Sequence, residues 1–402
     1  MDDQHAFSGL TVVELGAGIS APYATKVLAD LGAEVIKVEA PPHGDSARRH
    51  GPFPSNVPHS EHSGLFLWLN ANKLGITLDT GTPTGRAVLD RLVRQADVLV
   101  YADSLPGAGD LDAAALNALQ PQLIAVSVTP FGRSVSYAGW KASHAVCCAL
   151  GGVSEAIGSV GREPLPAPYS QGDLQAGLSA ACAIVAALLE RQESGQGQEV
   201  EVSEVDVLAT LLSGYQYVFH AFGTLQTARG EGIYQGRYPP RFFPARDGYM
   251  SLSAPQRAQW ERFIEVMGSP EWAKDPRYQD RRALAEKYAE EVNALMAPWF
   301  MAHAREDIFR ACQDRRVPFA PVYAVSEVLR HPHLEHRGFF QDTEYPGAGR
   351  VRVPGLPFKM SETPWTLRRP APRLGQHNEE VLCGRLGLSR QDLVDLARAG
   401  VI

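Results

Sequence analysis

Residues 11–39 read TVVELGAGISAPYATKVLADLGAEVIKVE, and this stretch contains the pattern that decides the fold. The run Thr11–Leu15 is rich in β-branched residues and predicts a strand. A helix is predicted to begin near Ser20 and to end before Gly32, because serine favours helix starts and glycine favours helix ends. Residues 34–38, EVIKV, predict a second strand. This order is typical of a parallel sheet covered by helices.

The same alternation continues along the first half of the chain. Strands are predicted at 75–78, 97–101, 123–128 and 198–202, and helices at 85–95, 173–192 and 205–219. The helix at 173–192 is mostly apolar, which indicates burial. The sequence therefore predicts an α/β fold with a parallel sheet.

The composition changes after this alternation. Residues 224–248 combine glycine, proline and aromatic residues with little periodicity, which predicts a linker and a functional loop. Residues 256–316 show charged, amphipathic helical patterns. From residue 331 proline and glycine recur, and a last helix is predicted at 390–399. A second, smaller domain is therefore expected in the second half of the chain.

Composition and charge exclude several classes of protein. The chain has 402 residues, 45% of them hydrophobic and 21% charged, and a length of this kind predicts two or more domains. A net charge of −7 argues against a nucleic-acid partner or an anionic membrane surface. The five cysteines have no CxxC spacing, which argues against a disulfide framework and a zinc site. The N-terminus is acidic and the longest apolar stretch, 176–189, is short for a membrane span. A soluble, cytoplasmic protein is predicted.

The turn after the first strand is a candidate ligand site. Residues 16–21, GAGISA, fit the pattern GxGxxG/A, and Glu39 follows Gly18 by 21 residues. This context is that of the dinucleotide fingerprint, in which a helix N-terminus favours a phosphate. An NAD-type or flavin oxidoreductase, another nucleotide-like ligand and a plain tight turn all explain the motif.

Further motifs resemble those of one enzyme family. They are GDSAR at 44–48, NANK at 70–73, ITLD at 76–79, SGQGQ at 194–198 and RVPFAPV at 316–322, and they follow the family order nearly end to end. With residues 23–39 they resemble the class III CoA-transferases of the CaiB/BaiF type, the group that also includes the α-methylacyl-CoA racemases.

The resemblance implies an architecture. A large Rossmann-like, CoA-binding domain is expected to begin with residues 1–205, followed by a linker helix and glycine-rich loop at 206–240. A small inserted domain is expected at 241–325, and residues 326–402 are expected to return to the large domain. The resemblance also implies an interlocked homodimer.

The resemblance assigns binding residues as well. Gly18, Ile19 and Ser20 are expected to line the adenine-nucleotide end of CoA, and Asn72 and Lys73 to meet its phosphate or pantetheine groups. CoA is then a substrate; no tightly bound cofactor and no metal are expected. The chain departs from the family where Ala40 replaces a common arginine.

Asp173 is the candidate nucleophile. The family's nucleophilic aspartate falls at this position, where Gln171-Gly172-Asp173 precedes the apolar helix. A carboxylate that attacks a thioester has to be ionised and partly desolvated, and a helix N-terminus favours its charge. The alternative is that Asp173 is only the N-cap of the helix.

Three further residues are candidates for substrate binding. Gly230 and Gly232 fall where family members have a mobile glycine loop. His144 lies 29 residues before Asp173, where the racemase branch has a histidine that acts with the aspartate as an acid–base pair. A packed or substrate-lining histidine is the other interpretation, since Ala145 replaces the aspartate that follows in racemases.

Together these observations predict a CoA-transferase. It would move CoA from an acyl-CoA donor to a carboxylic acid acceptor through an aspartyl mixed anhydride and an aspartyl-CoA thioester. The alternatives are an α-methylacyl-CoA racemase on the same fold and an NAD-type oxidoreductase.

Overall fold

The computed structural model describes residues 5–102, 111–157, 162–212, 221, 238–239, 242–254 and 256–402. The chain forms two compact units. One comprises Met1–Ser154, Pro166–Tyr215 and Glu335–Ile402, and the other comprises Glu155–Leu165 and Gln216–Leu334. The domain limits expected from the family resemblance stay predictions.

The described strands and helices are as follows. The strands are β1 (Thr11–Leu15), β2 (Glu34–Glu39), β3 (Lys73–Thr77), β4 (Val98–Tyr101), β5 (Ile124–Thr129), β6 (Glu199–Ser203), β7 (Phe242–Ala245), β8 (Gly248–Ser251), β9 (Ala320–Pro321), β10 (Phe340–Tyr345) and β11 (Gly349–Pro354). The α-helices are α1 (Ser20–Asp30), α2 (Gly64–Leu69), α3 (Pro83–Val93), α4 (Ala113–Leu119), α5 (His144–Leu150), α6 (Val153–Ala156), α7 (Gln171–Ser194), α8 (Glu204–Leu212), α9 (Arg257–Val266), α10 (Arg281–Ala283), α11 (Ala289–Ala302), α12 (Arg305–Asp314), α13 (Val325–Val328), α14 (Pro332–His336) and α15 (Arg390–Arg398). Single 3-10 or π turns lie at Ser46–Arg49, Pro54–Asn56, Glu271–Lys274, Pro276–Tyr278, Leu284–Tyr288 and Glu379–Cys383.

The first unit is built on a six-stranded parallel sheet in the order β3-β2-β1-β4-β5-β6. The strand order reverses between β1 and β4, since Val12 pairs with Val35 of β2 on one side and with Val98 of β4 on the other. In open α/β sheets ligands bind beyond the carboxyl ends of the strands at such a switch point. The predicted α/β fold with a parallel sheet is confirmed.

Helices cover both faces of this sheet because its strands are apolar on both sides. On one face α1 and α7 pack against the strands through buried residues that include Leu28, Ala180 and Ile184. On the other face lie α3 and the C-terminal segment, including Leu89, Val381, Leu382 and Val401. At about 25 cal/mol per Å² of apolar surface, burial on two faces is the main stabilising contribution to this unit.

Four buried charged residues, Glu14, Lys37, Asp45 and Lys73, form what we call the buried ion cluster. Glu14 Oε1 lies 2.6 Å from Lys37 Nζ, and Glu14 Oε2 lies 2.8 Å from Lys73 Nζ. Lys37 Nζ also lies 2.7 Å from Asp45 Oδ2. All four residues are at most 1% exposed, so each charge is stabilised by its oppositely charged partners and not by water.

The buried ion cluster fixes the turn that joins β1 to α1. Lys37 Nζ donates to the carbonyl oxygen of Gly16 at 2.9 Å, and Asp45 Oδ1 accepts from the backbone N–H of Gly18 at 2.8 Å. Gly18 has φ +85°, a conformation that glycine adopts without steric cost. The glycine turn is therefore held by charged side chains beneath it.

Among the described helices α7 is long and apolar enough to cross a membrane, by length and composition alone. Core helices of globular proteins pass the same test, and Ala176, Ala180 and Ile184 of α7 are fully buried. The absence of a membrane partner stays a prediction.

The second unit has its own core. Strands β7, β8 and β9 form a three-stranded antiparallel sheet. Helices α9, α11 and α12 supply further buried residues to the same core, among them Phe263, Phe300 and Cys312.

Two β-hairpins were not predicted from the sequence. Strands β7 and β8 fall partly in residues predicted as a linker and loop, because Pro244 and Gly248 are typical of irregular structure. Strands β10 and β11 pair antiparallel around Pro346-Gly347, where only proline and glycine recurrence was noted. Of the helix predicted at 205–219, residues 213–219 lie outside the described part of the chain.

Candidate functional site

A pocket of about 800 Å³ opens in the first unit beyond the carboxyl ends of the central strands. It is lined by the turn after β1, by the residues that follow β4 and β5, and by the starts of α5, α7 and α8. The lining residues used below are Gly18, Ile19, Ser20, His144, Asp173 and Glu204. This is the position that the switch point of the sheet predicts for a ligand.

Asp173 lies inside the first turn of α7, not before it. The helix begins at Gln171, and the preceding Ser170 has left-handed backbone angles and makes no side-chain cap bond. Asp173 is therefore the third residue of the helix, and the interpretation of Asp173 as the N-cap residue is wrong. The predicted helix start at 173 is two residues late.

The electrostatic environment of Asp173 balances opposing effects. Its side chain is 20% exposed, and this burial raises the pKa of the carboxyl group above its ordinary value. The charge of His144 and hydrogen bonds from the side chains of Ser170 and Ser20 oppose that rise. The helix N-terminus favours the charged form as well. A carboxylate that is poorly solvated yet held by hydrogen-bond donors is suited to act as a nucleophile.

His144 lies beside Asp173 at the start of α5. Its Nε2 lies 2.8 Å from the carbonyl oxygen of Ala167. Because a carbonyl only accepts hydrogen bonds, Nε2 donates there, and Nδ1 is the nitrogen that exchanges a proton. Nδ1 lies 3.5 Å from Asp173 Oδ2 and 3.5 Å from Glu204 Oε1.

Glu204 is the site residue that the sequence analysis missed. It is the first residue of α8, directly after β6, and its side chain is 8% exposed. Burial raises the pKa of Glu204 to about 7, the charge of Asp173 adds to the rise, and His144 opposes it. The signal available in the sequence was its position, since residues that follow a strand of a parallel sheet lie at the ligand-binding edge.

Gly172 leaves the space in which these three side chains meet. A Cβ atom there would lie 2.9 Å from His144 Nδ1 and 2.9 Å from Glu204 Oε1. Those distances are shorter than ordinary carbon–nitrogen and carbon–oxygen contacts, so a larger residue would displace the ring or the carboxyl group. A glycine before Asp173 therefore allows the imidazole and both carboxyl groups to approach one another.

The structure brings together five of the residues predicted for the site. Gly18, Ile19, Ser20, His144 and Asp173 line one pocket, and the functions assigned to them stay predictions. Gly230 and Gly232, predicted as a glycine loop over the aspartate, lie outside the described residues.

Asn72 and Lys73 lie elsewhere, and their polar atoms contact the protein. Lys73 Nζ donates to Glu14 at 2.8 Å, to the Pro22 carbonyl at 2.8 Å and to Asn70 Oδ1 at 2.9 Å. Asn72 Nδ2 donates to Asp30 at 2.8 Å, and its Oδ1 accepts from two backbone N–H groups at 368 and 369. CoA binding by Asn72 and Lys73 stays a prediction, and a ligand would have to displace these contacts.

The two polar groups with which the glycine turn would bind a dinucleotide already form hydrogen bonds within the protein. The backbone N–H of Gly18 already donates to Asp45. Glu39, the acid that would bind a ribose, accepts from Arg48 Nε at 2.7 Å and from Arg48 Nη2 at 2.8 Å. Since both carboxylate oxygens of Glu39 are buried in this pair, they are not available to ribose hydroxyl groups.

One donor set in the site suits a cation by chemistry. His144, Asp173 and Glu204 each offer an atom, and these atoms lie within 4.8 Å of one another. An imidazole and two carboxylates are ligands that divalent cations accept. The same three groups also provide a nucleophile and a proton-exchanging pair without a metal. The expectation that no metal is used stays a prediction.

Comparison with known proteins identifies the family of the chain. The chain matches the family model of CoA-transferase family III over residues 7–378. It is 32% identical over 398 residues to succinyl-CoA–D-citramalate CoA-transferase from Chloroflexus aurantiacus. This alignment covers 97% of this chain and 96% of that protein. It is 32% identical over 383 residues to succinate–glutarate CoA-transferase from Agrobacterium fabrum, covering 93% of this chain and 94% of that protein.

A solved structure shows the same fold. The crystal structure of a CAIB/BAIF family protein from Brucella suis matches with a TM-score of 0.84 and 29% identity, covering 95% of this chain and 100% of that chain. The sequence match extends over more than nine-tenths of the chain, and the relatives that share it are enzymes. The chain therefore belongs to CoA-transferase family III.

Proposed function

We propose that this protein moves CoA from an acyl-CoA donor to a carboxylic acid acceptor, with Asp173 as the covalent nucleophile. One observation supports the proposal above the others. The carboxyl group of Asp173 is largely buried at the N-terminus of an apolar helix and faces a pocket of about 800 Å³ at the ligand-binding edge of the sheet. The strand order of that sheet also supports the Rossmann-like interpretation of the large domain.

The proposed reaction has two symmetric halves. An oxygen of Asp173 attacks the thioester carbonyl, the carbon–sulfur bond breaks, and a mixed anhydride and free CoA are formed. The sulfur then attacks the Asp173 carbonyl, the donor acid leaves as a carboxylate, and an aspartyl-CoA thioester remains. The acceptor carboxylate attacks this thioester, and the same steps in reverse give the new acyl-CoA and the free Asp173 carboxylate. No electrons and no net protons enter or leave.

The environment of Asp173 suits these steps. Burial limits competition from water, which would otherwise hydrolyse the anhydride. The positive N-terminal end of α7 also favours the negative charge that develops on the oxyanion during attack. The side chains of Ser170 and Ser20 favour the charged form of Asp173, which is the form that attacks.

A transfer assay tests this proposal. The names of the relatives include succinyl-CoA, D-citramalate, succinate and glutarate, so succinyl-CoA is the first donor to test, with glutarate and D-citramalate as acceptors and acetate as a comparison. Mass spectrometry would follow the new acyl-CoA, and titration with CoA and NAD would compare the two ligands. Binding of NAD without CoA, and no transfer to any acceptor of a broad acid panel, would contradict the proposal.

The geometry of His144 supports a second candidate function. His144 Nδ1 and Asp173 Oδ2, 3.5 Å apart, are placed to act as an acid–base pair on the α-carbon of a 2-methylacyl-CoA, as in a racemase. Incubation of such a substrate in D₂O separates the two reactions. A transferase leaves the α-proton in place, whereas a racemase exchanges it for deuterium without any acceptor acid.

We also propose an interlocked homodimer in the cytoplasm, as the family resemblance implies. Support for a partner comes from α7, which exposes Leu178, Cys182, Val185 and Leu189 at helical spacing. All five cysteines are free, which suits a reducing compartment.

The dimer leads to a prediction. Light scattering should give twice the chain mass, and the mass should persist on dilution to nanomolar concentration, because interlocked chains separate only by unfolding. A folded, active monomer at any dilution would contradict the interlocked arrangement.

A further inference from the structure

Glu204 has a buried oxygen that the transfer steps above do not use. Among the described residues no hydrogen bond reaches Glu204 Oε1, although this atom lies 3.5 Å from His144 Nδ1. A buried carboxylate oxygen without a hydrogen bond costs free energy. Such an atom is therefore expected where a proton or a ligand supplies the missing hydrogen bond. The imidazole of His144 lies at this distance, and the nearest carboxylate oxygen of Asp173 lies within 4.8 Å.

We propose that His144 and Glu204 hold one proton between them, which the CoA sulfur takes up when it leaves the acyl group and returns when it attacks. The inference rests on the proposed transferase function and adds to it the group that receives the leaving thiolate. His144 is the acid, and Glu204 is a positioning residue that acts through it.

The proton balance of each half-reaction is closed. At the start His144 is protonated on both nitrogens, with Nδ1–H facing Asp173 and Glu204. As the carbon–sulfur bond breaks, the sulfur takes the Nδ1 proton, and neutral His144 remains beside the Glu204 carboxylate. When the sulfur attacks the Asp173 carbonyl, its proton goes back to Nδ1. No outside acid or base is consumed.

The chemistry of Asp173 drives this proton in the required direction. Before acylation the Asp173 carboxylate stabilises a proton on His144. Formation of the anhydride removes that negative charge, so the proton affinity of the pair falls at the moment when the thiolate forms. The Glu204 carboxylate remains beside the neutral imidazole, and it stabilises the proton on Nδ1 again when the sulfur returns it.

The groups around Glu204 suit this function. His144 and Cys147 of α5 and Asp173 of α7 are the titratable groups that face it, and Arg133 and Lys141 line the same pocket. Burial raises the pKa of Glu204 to about 7. Glu204 is therefore charged at pH 8, where its carboxylate stabilises a proton on the neighbouring imidazole.

The test compares Glu204→Gln and Glu204→Asp with the wild type between pH 5.5 and 9.5. Glu204→Gln should lower kcat at pH 8 by about 10²-fold, because the neutral amide lowers the proton affinity of His144, and should move the alkaline fall in kcat to lower pH. The KM for acyl-CoA should change by less than about threefold. Glu204→Asp keeps the charge and should restore the position of the alkaline fall.

Glu201→Gln is the matched control, since it makes the same change at an exposed residue of β6, three residues earlier, and should match the wild type. An alkaline fall that stays in place in Glu204→Gln, with or without loss of kcat, would overturn the inference. If Glu204→Gln does not fold, the pH profile of Glu204→Asp decides. An alkaline fall in kcat that lies at a different pH in Glu204→Asp than in the wild type would also contradict the inference. A wrong proposed function would give a different result, because the wild type itself would then show no CoA transfer. That result would contradict the inference as well.

Discussion

Asp173→Asn should abolish CoA transfer while the protein stays folded. We expect kcat to fall by roughly 10³-fold or more, because the amide cannot attack the thioester and removal of a covalent nucleophile has effects of that size in other acyl-transfer enzymes. The wild type mixed with acyl-CoA alone should acquire a CoA-sized adduct on the peptide that contains Asp173. Hydroxylamine should remove this adduct, and mass spectrometry measures both steps.

The same substitution should not destabilise the fold. Burial raises the pKa of Asp173, which means that the folded environment disfavours its charge at neutral pH. Replacing the carboxylate by a neutral amide removes that cost, while the loss of a favourable charge near a helix N-terminus costs about 0.3–1 kcal/mol. The two effects oppose each other, so the unfolding temperature should change by no more than a few degrees.

Asp206→Asn is the matched control for this prediction. Asp206 is also the third residue of its helix, α8, but its side chain is exposed. The change should leave transfer and adduct formation at the wild-type level. Near-normal turnover in Asp173→Asn, together with no adduct on any peptide of the wild type, would contradict the covalent mechanism.

The sequence predicts the central sheet well because each of its signals is local. The run TVVEL, the glycines after it and the apolar strand at 34–38 each indicate their own structure within a few residues. The candidate nucleophile came instead from the family resemblance, which assigns that function to Asp173 at the start of one long apolar helix. Its helix position was still misjudged by two residues, because the left-handed angles of Ser170 leave no mark in the sequence.

The remaining features depend on which strands are neighbours. Glu204 meets His144 and Asp173 only because β6 lies beside β5 and α8 follows β6 directly. The strand before Glu204 indicates the ligand-binding edge of the sheet, but no nearby residue indicates the contact with His144 and Asp173. Lys73 shows the same limit, because only the placement of β3 two strands from β1 shows that its ammonium group contacts Glu14. Its partner Glu14 is 59 residues away in the chain.

The buried ion cluster gives rise to the second large effect, on stability. Glu14 lies between Lys37 and Lys73, and although burial raises its pKa, the charges of the two lysines lower it to about 2. Burial lowers the pKa of Lys73 to about 8, with the attraction of Glu14 opposing. Glu14→Gln would leave two buried lysines facing a neutral group. Removing one partner of a buried pair costs about 3–5 kcal/mol, and we expect a loss of that size in the free energy of unfolding measured by urea denaturation at pH 7.

The pH dependence of this loss distinguishes charge pairing from simple packing. Because the folded-state pKa of Glu14 is lowered, its contribution to stability is complete above the unfolded pKa of about 4.5 and is lost as the pH falls towards 2. The difference between the wild type and Glu14→Gln should therefore narrow below about pH 4.5. Glu379→Gln makes the same change in an exposed pair with Arg390 and should cost no more than about 1 kcal/mol at any pH. A Glu14→Gln loss that is small at pH 7, or that stays constant down to pH 3, would mean that the ion pairs do not stabilise the glycine turn.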